Sequence, residues 1–157
     1  MSPIELKALC LNLNLTAAEA GQTLVPNVHF PHGATAAEWE SWEAGEAAIP
    51  LHVVAAVETR LNQKYQAIDD YAEQIARQAE GGEPTIALWY PDERACIGIA
   101  DWRISQSVAG EVAAMGGRVV LFNAEAYRAW REQHGHAADT PANRQRWAQE
   151  QFAASRG

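Results

Sequence analysis

Trp39 and Trp42 lie three residues apart, the spacing at which two indoles share one face of a helix, and Glu40 and Glu43 are interleaved with them. Such a pair can form an aromatic cage around a ligand or anchor a helix in a core. The apolar pair matches the inward face of an amphipathic helix, so the core reading is preferred. The pairs His29-x-x-His32 and His134-x-His136 offer imidazole nitrogens, yet neither comes with a cysteine or carboxylate at a zinc-site spacing. Cys10 and Cys96 have no neighbouring cysteine and read as buried free thiols. A nucleophile elbow, a P-loop, a paired His-Glu helix and a glycine-rich dinucleotide turn are all absent, and Gly81-Gly82 and Gly116-Gly117 read as helix stops. The expectation is a chain with no catalytic residues, no metal and no cofactor.

The elements that must position the tryptophans follow from caps and periodicity. Residues 4–13 carry apolar side chains at 6, 9 and 13, a one-faced helix. Thr16 with Glu19, and Thr35 with Glu38, each form the N-cap and third-residue acid of a capping box, predicting helices over 17–24 and 35–44. Gly45 closes the second of these, and Pro26, Pro31 and Gly33 make the segment between them a long loop. Pro50 opens a helix whose apolar stripe runs through 54, 57, 61, 65, 68, 72, 75 and 79, longer than a small domain covers. Its distal half is expected to pack on the second half of the chain or on another subunit. Strands are expected at 85–90 and 118–122, helices at 102–115 and from Asn123 through Tyr127 and Trp130, and a polar terminal helix at 143–154 that frays.

With 157 residues, nearly half of them apolar and a fifth charged, the composition is globular, and no run of 18 apolar residues suggests a membrane span. The acidic residue in Met1-Ser2-Pro3-Ile4-Glu5 is not that of a signal peptide, so a cytoplasmic location is expected. The net charge of −8 is unevenly placed: residues 1–80 hold eleven acids against four bases, and residues 81–157 hold nine against eight. Nucleic-acid binding leaves a basic footprint, and here the first half is the acidic one.

The spacing from Thr16 through Trp42 to Pro50 resembles the helix-turn-helix of lambdoid repressors. Glu5-Leu6-x-Ala8-Leu9, Trp39-x-x-Trp42-Glu43-x-Gly45-x-x-x-Ile49-Pro50 and Trp102-Arg103-Ile104-Ser105-Gln106-Ser107-Val108-Ala109 together resemble the YdiL-like family of small bacterial and phage proteins, over residues 5 to about 115. The resemblance implies an α+β, mainly α chain: a five-helix lambda-repressor-like domain at 1–65, the rest of a linking helix and its Gly-Gly turn at 66–84, an αβ dimerisation module at 85–135, and a polar extension at 136–157. It implies a transcriptional regulator, a repressor or autorepressor, that binds double-stranded DNA as a homodimer on an inverted-repeat operator. Register against the repressor pattern puts Thr35, Ala36, Ala37 and Ser41 on the reading face, with Thr16 and Ala17 opening the preceding helix. Trp39, Trp42 and Gly45 then anchor the recognition helix, and Asn27, His29 and His32 in the loop add phosphate contacts. The acidic first half favours the alternative, an antitoxin-like protein-interaction module on the same scaffold.

Overall fold

The computed structural model describes residues 1–28 and 30–156. The chain is α+β with helix predominating: α1 (Pro3–Asn12), α2 (Ala17–Leu24), α3 (Ala36–Ala44), α4 (Leu51–Ala79), β1 (Ile86–Trp89), α5 (Ile99–Ala114), β2 (Arg118–Leu121), α6 (Ala124–Gln133) and α7 (Pro141–Ala154). A single 3-10 turn, Glu93–Ala95, lies between β1 and α5. Both anticipated capping boxes are present, and Ser2 with Glu5 adds a third at α1. Each satisfies two backbone donors that a helix start would otherwise leave open.

Four helices, not five, precede β1 among the described residues. They enclose a core built on Leu6, Leu13, Val25, Trp39, Val53 and Val57. From the second half, α5 packs against α2 and α4, and its Ile104 reaches this core. The buried stripe of α4 holds Val57 and Leu61 as expected, but Val53 and Lys64 are buried where Val54 and Tyr65 were predicted. Periodicity counts lysine as polar, but Lys64 is only 2% exposed because its Nζ donates to the backbone oxygen and Oδ1 of Asn12, at 2.7 and 3.0 Å. The ammonium thereby caps the open carbonyl end of α1 while its stem packs as a hydrocarbon. Burial pulls the Lys64 pKa below its ordinary value, against the raising influence of Glu111.

The distal half of α4 is covered by the chain itself. Ala67, Ile68, Tyr71 and Ile75 pack on Val108, Ala109 and Val112 of α5. β1 and β2 pair in parallel with Ile86 opposite Arg118 and Trp89 opposite Leu121, so α5 is the crossover of a βαβ unit. Beneath the other sheet face, Ile86, Leu88, Phe122, Tyr127, Trp130, Trp147 and Ala148 form a second core. The terminal helix, expected to fray, is therefore integral: Trp147 of α7 is 1% exposed, edge-on to Phe122 and Tyr127. One large aromatic suffices to dock an otherwise polar helix, because it fills a space that Phe122 and Tyr127 leave between them.

Candidate nucleic-acid interface

α2 and α3 meet through two glycines. Ala34 N–H donates to Gly21 O at 3.0 Å, and a Cβ on Gly21 would collide with the carbonyl oxygen of Ala34. Gly33, at φ +74°, returns the loop toward α2. Because the clash is with backbone, no side-chain rotation relieves it. Gly21→Ala is expected to cost about 1–3 kcal/mol in chemical denaturation, the usual range for overpacking.

α3 is held on the core by both indoles. Trp39 and Trp42 are buried and pack edge-on with centroids 5.6 Å apart, and Trp39 Nε1 donates to Glu43 Oε1 at 3.0 Å. Gly45, at φ +76°, ends the helix in the left-handed conformation, with its N–H directed to Ser41 O and Trp42 O. The expected anchors thus act together. Cys10 is buried beside them, and burial with the charge of Glu43 raises its thiol to about 12, despite a hydrogen bond with Trp39. It remains a protonated, unreactive thiol.

Of the expected reading residues, Thr16, Thr35 and Ala37 are exposed, and Ala17, Ala36 and Ser41 are half-buried. The hydroxyls are already committed. Thr35 Oγ1 donates to Glu38 Oε2 at 2.8 Å and accepts from Glu38 N–H at 3.2 Å; Thr16 makes the same pair with Glu19. Ser41 Oγ donates to Glu38 O at 2.7 Å. Each threonine retains only acceptor capacity toward a ligand unless its box opens. In the loop, Asn27 Oδ1 accepts the Phe30 N–H at 2.9 Å, and Phe30 stacks on His52. His32 is exposed, and His29 lies outside the described residues.

Charge is the feature that a comparison of halves understates. Between Lys7 and Arg60 the sequence holds no lysine or arginine and six acids: Glu19, Glu38, Glu40, Glu43, Glu46 and Glu58. That window is legible in the sequence itself. The nearest guanidinium from elsewhere, Arg103 on α5, is consumed by Glu19, with Nε and Nη2 at 3.0 and 2.9 Å from Oε1. Partial burial raises the Glu19 carboxyl, but the Thr16 amide and Arg103 outweigh it and hold the group below its ordinary value. Arg60 is paired with Asp101 at 3.0 Å.

Glu38 lies below its ordinary value of 4.5 because the Thr35 amide and then its hydroxyl donate to the carboxylate. A depressed folded-state pKa means that this cap stabilises the protein above the ordinary value and is lost as pH falls through the lowered one. The melting temperature of Glu38→Gln should therefore decline less than that of the wild type between about pH 5 and about pH 3.

Ser105, Gln106 and Ser107 all bond backbone: Ser105 Oγ donates to Trp102 O within α5, Gln106 Nε2 to Tyr90 O, and Ser107 Oγ to Asn12 O. Among the described residues no group of three His, Cys, Asp or Glu is placed to hold a metal ion, and no helix is long and apolar enough to cross a membrane. No curated protein matches the chain. The profile of the Aca2/YdiL-like family matches residues 1–121, ending at the last residue of β2 and leaving α6 and α7 outside it. Four-helix start, tryptophan-anchored α3 and βαβ unit all fall within that match, and the chain belongs to the Aca2/YdiL-like family.

Proposed function

We propose that this protein is a regulatory, non-enzymatic DNA-binding protein, a repressor or autorepressor that acts in the cytoplasm as a homodimer on an inverted-repeat operator through α2 and α3. The observation that carries the reading is the rigid presentation of α3. Its inward face is pinned by Trp39 and Trp42 while Thr35, Ala37 and Glu40 remain exposed. Family membership supports the same role. The free N–H groups at the starts of α2 and α3 supply phosphate donors, and the remaining acceptor capacity of Thr35 and Ser41 together with DNA shape supplies the selectivity. For the homodimer the support is β2. Its Val119 and Leu121 are 39% and 62% exposed on the sheet face that α5 covers more fully over β1 than over β2, and a two-stranded sheet gains from further packing.

With few cations available, salt dependence should be shallow, a log–log slope of roughly −2 to −4 per dimer. Glu46→Lys, at an exposed site just after α3, should tighten binding to all sequences alike, whereas Ser41→Ala should change preference among sites. The measurement is a titration of wild type and both variants against DNA from upstream of the protein's own gene and against scrambled DNA, at two salt concentrations. Absence of any preference by the wild type at low salt overturns the operator reading. The window from residue 8 to residue 59, with six acids and no lysine or arginine, favours a second reading, an antitoxin-like interaction module on the same scaffold, which that outcome would leave standing.

A further inference from the structure

We infer that a groove at the end of the family-matched region, between the loop at 90–95 inside it and α6 beyond it, is a binding site for a small phosphate-bearing molecule. The inference is independent of whether α3 reads DNA. The groove encloses about 770 Å³, within the usual range of small-molecule sites. It opens at the carboxyl ends of both parallel strands: β1 runs into the 90–95 loop and β2 into Asn123 and the start of α6. That is where ligands bind in open parallel α/β sheets, because the loops leaving the strands diverge there and the next helix starts with its N–H groups pointing outward.

Four of the ten arginines in this acidic chain line the groove: Arg94, Arg128, Arg131 and Arg144. Two of them are already paired. Arg144 holds Asp139 with both ends of its fork, Nε to Oδ1 at 2.7 Å and Nη2 to Oδ2 at 2.8 Å, and its Nη1 donates to Ala95 O at 2.7 Å. Pairing with Asp139 raises the Arg144 pKa, and its guanidinium lies 5.1 Å from the Phe122 ring. It ties α7 to the 90–95 loop as a fixed wall. Arg94 is paired with Asp92 at 2.6 Å.

The other two retain open donors. Arg128 is exposed and makes no bond to any described residue. Arg131 commits only its Nε, to Ala137 O, and lies over the Tyr127 ring at 5.8 Å, leaving both Nη atoms free. At the start of α6 the Asn123 side chain takes the Ala126 N–H at 2.9 Å, so the N–H groups of Ala124 and Glu125 have no acceptor among the described residues. Positions 124, 128 and 131 share one helical face, which lines these amides and the two open forks along one side of the groove. With the Arg94–Asp92 and Arg144–Asp139 pairs cancelling, the remaining charges are Arg128 and Arg131 against Glu125. One net positive charge and a helix N-terminus suit a phosphate, whose oxygens accept both backbone amides and forked guanidinium donors. Pro91 and Ala95 give the remainder of the molecule an apolar surface.

The test is a titration of the ¹⁵N-labelled full chain with pyrophosphate and with adenosine monophosphate at constant ionic strength, read from amide resonances. Saturable shifts centred on Ala124 and Glu125 are expected for both probes. Arg128→Glu, at a site with no partner among the described residues, should weaken binding about tenfold or more, and Arg77→Glu on exposed α4 surface should leave it unchanged. No saturable shift by about 10 mM, or equal affinity in Arg128→Glu with an unchanged melt, overturns the proposal. So does a single-stranded oligonucleotide that shifts these amides when neither small probe does, because the groove would then follow a nucleic-acid backbone.

Discussion

Trp147→Ala is expected to lower the free energy of unfolding by about 3–5 kcal/mol, the range for deleting a buried large aromatic. Trp147 lies with ring centroids 5.5 Å from Phe122 and 5.8 Å from Tyr127, in two edge-to-face contacts that hold α7 against β1 and α6. Its indole N–H has no hydrogen-bond partner among the described residues, so truncation also releases a buried unsatisfied donor. Relief of a penalty of about 1–3 kcal/mol per such group places the net loss toward the lower part of that range. Trp147→Phe, which keeps an aromatic ring and drops the orphan donor, should cost less than the alanine variant. Urea denaturation followed by far-ultraviolet circular dichroism measures both. A loss under about 1 kcal/mol for alanine, typical of surface sites, would mean that α7 adds little to the second core.

That helix shows where sequence reading loses its grip. Its twelve residues from Asn143 to Ala154 contain two large apolar side chains, Trp147 and Phe152, too few for a periodic stripe. The decision to dock is made by Phe122 and Tyr127, twenty or more residues away, and by Gln145 Nε2 donating to Ile86 O at 2.9 Å. The caps behave oppositely. Thr16-x-x-Glu19 and Thr35-x-x-Glu38 were legible because donor, acceptor and helix start all lie within four residues.

The α4 stripe is an intermediate case. Val57, Leu61, Ile68 and Ile75 lie on the expected face, while Val53 and Lys64 take the places of Val54 and Tyr65, since the ammonium of Lys64 is hydrogen-bonded by Asn12, fifty-two residues earlier. No local pattern records such a partner. The candidate interface was legible in its architecture and its charge, down to the absence of any lysine or arginine between residues 8 and 59. The phosphate groove was not, because its arginines come from a loop and two helices that only the parallel pairing of β1 and β2 brings together.

Trp39→Ala should be the most damaging substitution in the first half, again about 3–5 kcal/mol and nearer the upper end. Trp39 is fully buried where Trp42 retains 7% exposure, and unlike Trp147 its indole N–H is satisfied. Alanine therefore removes a packed ring, an edge contact with Trp42 and the hydrogen bond to Glu43, leaving that half-buried carboxylate to find solvent. Trp39→Phe keeps most of the packing but not the donor, so the difference between the two variants separates ring from hydrogen bond. The same pair tests whether α3 needs rigidity to act. At a temperature where both variants are folded, α3 in Trp39→Ala is less firmly held than in Trp39→Phe, so operator affinity should fall further in the alanine variant. Binding that follows only the folded fraction, with equal affinity per folded molecule in both variants, would show that the tryptophans hold the core without setting the orientation of α3.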